Sequence, residues 1–238
     1  TGGFPPRSRL LDQNEETVLL RQAIARSGNI DTLTKDLRRY GYKYDGGTQT
    51  SGEDQFRQMI QKVISRLRTV NQEVGRSTLS AFSEQFLTSS YGSTIDGEAA
   101  LEALHRAVTA LLTKFPSDIS SGFVGNTAAV KEFRRNHADL SLAQDKCRLE
   151  TDWYLWGSLR KLRQSKRGAP TPEEYDGFAF TVIEAANELI QHPGPLEDAV
   201  NHAQILISAA VEAIEGYTLD KRKAALVDYT AVSYTHLR

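Results

Sequence analysis

Apolar residues recur at helical spacing over most of the chain. The pattern is cleanest after Ser51. Phe56, Met59, Ile60, Val63, Ile64, Leu67 and Val70 fall at i, i+3, i+4, i+7, i+8, i+11 and i+14, while Arg57, Gln61, Lys62 and Arg66 take the opposite face. That is one apolar stripe on one helix. Ser51-Gly-Glu-Asp54 ahead of it reads as a capping box, and Gly75 marks its end. A second stripe, Leu101, Leu104, Val108, Leu111, Leu112 and Phe115, is capped by Asp96 and stopped by Pro116. A third, Tyr175, Phe178, Val182, Ile183, Ala186, Leu189 and Ile190, follows Thr171-Pro172-Glu173-Glu174, where Thr caps, Pro suits the first helical position and Glu174 closes the box.

The remaining segments fit the same scheme. Residues 1–16, with Pro5, Pro6 and two glycines, read as an irregular arm. Asn14 caps a helix over 16–27 that turns Val18, Leu19, Ala23 and Ile24 inward, and Asp31 opens a short helix ending at Tyr40-Gly41. Ser77 opens a helix with Leu79, Phe82, Phe86 and Leu87, followed by a loop over 88–93. A short helix is expected over Thr127–Asn136 and a long central one over 140–165. Residues 196–216 are apolar on most sides, as in a helix buried between others, and Thr218 caps a last short helix containing Leu219, Leu226 and Val227. No stretch alternates with period two for long enough to be a strand, and no repeat is visible. The expected fold is all-α: one multi-helix domain over 17–230 with globin-like layered packing, or alternatively a helical bundle.

Composition narrows the function classes. In 238 residues, 29 basic and 30 acidic side chains give a net charge of −1, so no global field selects nucleic acid or an anionic membrane. One cysteine excludes an internal disulfide framework and a cysteine-based zinc site, and points to a reducing compartment. No apolar run reaches the roughly 20 residues that span a bilayer, and Thr1-Gly-Gly-Phe-Pro-Pro lacks the apolar stretch of a signal peptide. A soluble protein is expected. The tail Ser233-Tyr-Thr-His-Leu-Arg238, within the last segment 231–238, looks like translated vector sequence and is set aside.

Catalytic patterns are not found. There is no phosphate-binding glycine loop, no His-Glu-x-x-His and no nucleophile elbow. The five histidines stand in no i, i+3 or i+4 relation, so no helical metal pair exists; His105 and His202 are expected on polar helix faces. A non-enzymatic role is the expectation. The run Arg160, Lys161, Arg163, Lys166 and Arg167 closes the expected central helix. It reads either as cations complementing a helix C-terminus or as a contact for phosphates and acidic partners, the latter gaining weight if it meets Arg134-Arg135 in space.

The chemically dense stretch is 145–156. It holds the only cysteine, both tryptophans and a group of carboxylates. Cys147 admits three readings: a buried apolar residue, a reactive thiol beside Lys146 and Arg148, or a point of covalent attachment. Leu149, Trp153 and Trp156 repeat at helical spacing and read as a core stripe.

Lys146-Cys147-x-x-Glu150-x-x-Trp153-Tyr154-Leu155 resembles the bilin-attachment helix of the phycobiliproteins, the globin-like light-harvesting proteins of cyanobacteria and red algae. Thr113-Lys-Phe-Pro116, the turn from Gly168 to Tyr175, and His192-Pro-Gly-Pro-Leu-Glu-Asp-Ala199 echo the family in the same order, so that the resemblance spans roughly residues 95–216. It implies a thioether from Cys147 to a bilin, Glu150 bonded to the pyrrole N–H groups, Lys146 or Arg148 on a propionate, and Trp153 and Tyr154 along the conjugated chain. Leu149 stands where the family has arginine, and Glu150 where it has aspartate. The implied protein is a subunit of a phycobilisome-type assembly in the cytoplasm or plastid stroma, with protein subunits as partners. The alternative is a pigment-free structural or interaction protein, such as a coat or scaffold subunit, whose basic cluster contacts neighbours or nucleic acid.

Overall fold

Two hydrophobic cores organise the molecule, each within one compact unit. The computed structural model describes residues 9–26, 37, 39–70, 75–123, 127–166 and 170–227. In order these form β1 (Arg9–Leu10), α1 (Gln13–Arg26), α2 (Gly52–Val70), α3 (Arg76–Tyr91), α4 (Gly97–Lys114), a 3-10 turn (Ile119–Gly122), α5 (Thr127–Leu142), α6 (Lys146–Leu149), α7 (Trp153–Leu159), α8 (Tyr175–Glu188), a second 3-10 turn (Leu189–Gln191), α9 (Pro193–Lys223) and β2 (Leu226–Val227). The class is all-α. Unit 1 comprises residues 1–87 with 199–238, and unit 2 residues 88–198.

The core of unit 1 is the α2 stripe. Phe56, Ile60 and Ile64 are fully buried with Ile24 of α1 and Ala209, Ala210 and Ala213 of α9. The expected box forms at Ser51: Asp54 N–H donates to Ser51 Oγ at 3.1 Å, and Ser51 O–H donates to Asp54 Oδ2 at 2.7 Å. A second box starts α1 earlier than expected. Glu15 N–H donates to Asp12 Oδ1 at 2.8 Å and Asp12 N–H to Glu15 Oε2 at 3.2 Å, which places Asn14 inside the helix. Val18 is half exposed and not inward. The helix expected from Asp31 lies mostly outside the described residues.

Both ends of this unit depart from expectation. Residues 9–16 are not an irregular arm: Arg9–Leu10 pairs in parallel with Leu226–Val227, through Arg9 N–H to Ala225 O at 3.1 Å and Leu11 N–H to Val227 O at 2.8 Å. Thr218 does not open a new helix. Its hydroxyl donates back to Ile214 O at 2.8 Å, satisfying itself one turn down, and α9 runs on through Gly216 to Lys223. Along α9 only Ser208, Ala209, Ala210, Ala213 and Tyr217 are buried, so the expected all-round burial is confined to its second half. α3 continues through the expected 88–93 loop to Tyr91, ending at Gly92 with φ +86°.

In unit 2, α4 packs along α8. Leu104, Val108 and Leu111 of α4 meet Ala179, Val182 and Ala186 of α8 in one cluster with Phe133, Leu140, Leu149 and Trp156. The Asp96 cap is present, accepting from Ala99 N–H at 3.1 Å. The 171–174 box is absent. Glu174 adopts a left-handed φ of 69° with no capping bond, and Thr171 O–H donates instead to Asp176 Oδ1 at 2.8 Å, so the helix starts at Tyr175. Tyr175 is buried against Phe115 and Phe133, which pushes its phenol up to about 12 through desolvation, with Asp176 and Asp118 adding to it.

Candidate functional site

The dense stretch is not one helix. The expected central helix over 140–165 divides into the end of α5, the single turn α6 and the short α7. Two aspartates cause the breaks. Asp145 accepts from Cys147 N–H at 3.0 Å, and Asp152 accepts from Tyr154 N–H and Leu155 N–H, both at 3.1 Å. Each carboxylate satisfies amides that a continuous helix would bond to the preceding turn, so each restarts the helix. Glu150 stays on the turn that bears Cys147, whereas the break at Asp152 separates Trp153 from that turn.

The six residues singled out by the resemblance are dispersed. Lys146 and Glu150 line a depression of about 330 Å³ together with Glu98, Leu101, Glu102, His105 and Leu149. Lys146 Nζ donates to Glu102 Oε2 at 2.9 Å, which holds the Glu102 carboxyl below its ordinary range. His105 reaches Gln144 O at 3.2 Å across the same rim. Cys147 and Arg148 are exposed, and neither lines the depression. Tyr154 is 77% exposed.

Trp153 is turned to another task. Its indole N–H donates to Asp198 Oδ2 at 2.7 Å, and its ring lies 4.5 Å from that of Trp156. Trp156, 2% exposed, donates to Leu149 O at 2.7 Å. His192 completes the group, 4.9 Å from Trp156, with Nδ1 accepting from Gly194 N–H at 3.0 Å. Burial lowers the His192 pKa, against the pull of Glu197 and the Gly97 backbone. The closeness depends on two glycines. A Cβ at Gly97 would stand 2.4 Å from His192 Nε2, and one at Gly194 2.6 Å from Trp153 Cη2. The Cys147 thiol is accessible, with Lys146 and Glu150 on the same turn, whereas the Trp153 indole is packed on protein.

The basic run also divides. Arg163 is internal: it pairs with Glu132, lies 5.4 Å from the Phe133 ring, and its backbone N–H donates to the Asn136 side-chain oxygen at 2.7 Å. Lys161 and Lys166 are exposed, Arg160 is partly so, and Arg167 lies outside the described residues. Asp139 of α5 bonds to Ser158 of α7, and its carboxyl is raised chiefly by burial, against the nearby Arg135.

Histidine partners are what the sequence hid. His202 is not on a polar face. It stacks on Tyr40 with centroids 4.9 Å apart and meets the Tyr42 hydroxyl at 2.9 Å, 160 positions away in sequence, and burial lowers its pKa. Among the described residues no group of His, Cys, Asp and Glu is arranged to hold a metal ion, and no helix is long and apolar enough to cross a membrane.

Compared with protein-family models, with curated proteins and with solved structures, the chain matches none.

Proposed function

We propose that this chain is a non-enzymatic structural or interaction subunit that carries no covalent pigment. The observation that carries the reading is the use of the two tryptophans. Trp153 is bonded to Asp198 and packed on Trp156, and Trp156 is bonded to Leu149 O within the core. The two tryptophans of the dense stretch then serve packing, and the Lys146–Glu102 pair occupies part of the depression's lining.

A second reading is favoured by one observation. Cys147 is exposed on the turn that also bears Lys146 and Glu150, as attachment of a bilin in a light-harvesting subunit requires. One experiment separates the two. The protein purified from its native source is examined by visible absorption, and the Cys147 peptide by mass spectrometry. A colourless protein with an unmodified peptide is expected; strong visible absorption with added mass on Cys147 would reverse the choice.

A further inference from the structure

We draw no further inference here: the strongest candidate, the surface patch on α3 where the stacked rings of Phe82 and Phe86 stand exposed, carries nothing because nothing in the structure shows what covers it.

Discussion

Trp153 and Asp198 lie 45 positions apart in sequence, yet the indole N–H donates to the carboxylate at 2.7 Å. The bond ties α7 to the first turns of α9. A hydrogen bond to a charged acceptor contributes roughly 1.5–3 kcal/mol. Trp153→Phe keeps most of the ring and removes the donor, so it is expected to lower unfolding free energy by about 2 kcal/mol in a urea titration of the full chain. A change within about 0.5 kcal/mol, the range of a neutral surface substitution, would show that the bond is immaterial.

Gly97 supplies a test in which the expected sign is opposite to the usual one. Gly→Ala inside an exposed helix stabilises by about 1 kcal/mol. Here the new methyl would collide with the His192 ring, itself held by Trp156 and the Gly194 amide. Gly97→Ala is expected to destabilise by about 1–3 kcal/mol, as overpacking does. A stabilised variant, read from the thermal midpoint, would mean that His192 moves aside freely.

Stability should respond to mild acid through His192, which is buried, and His202, which is partly buried. Burial depresses the folded-state pKa of His202 and of His192 below the ordinary value of about 6.5. The unfolded chain therefore takes up protons first. Stability is full above about pH 6.5, falls as pH drops from there through the folded-state values, and levels off below them. His202→Gln removes one contribution, and the decline of the urea midpoint between pH 7.5 and 5.5 is expected to become shallower. An unchanged decline would assign it elsewhere.

The breaks flanking α6 should each depend on one carboxylate. Asp152 accepts from two amides at the start of α7. Asp152→Ala is expected to cost about 1 kcal/mol, as for other caps, whereas Glu150→Ala, two positions away on an exposed turn, should stay within about 0.5 kcal/mol. Equal effects of the two, measured by chemical denaturation, would contradict the role given to Asp152.

These residues also show where the sequence could be read and where it could not. Phe56, Ile60 and Ile64 were legible because a helix in contact with a core needs one apolar stripe, whatever the partner. The Asp96 cap was legible because it precedes its stripe directly. Asp145 and Asp152 were not, because an aspartate within a run of helix formers has the same spelling whether it caps or faces water; the tertiary placement of Leu149, Leu155 and Trp156 in one core decides it. Strands of two residues have no period to detect. The surroundings of His192 and His202 were hidden for another reason: Tyr91, which donates to the His192 carbonyl at 2.7 Å, and Tyr42, beside the His202 ring, are more than a hundred positions away. Of the candidate site, only Lys146 and Glu150 line one depression.

The parallel pairing of Arg9–Leu10 with Leu226–Val227 has a consequence for the order of synthesis. Unit 2 is one unbroken segment, and all of it is synthesised before the end of α9 and β2 exist. Unit 1 is interrupted by it and must keep the α2 stripe waiting, with Phe56, Ile60 and Ile64 uncovered, until Ala209, Ala210 and Ala213 arrive. The segment made first is thus the last to be sealed, and the interval in which its apolar face stands open is set by the time needed to translate everything between the two halves of that unit.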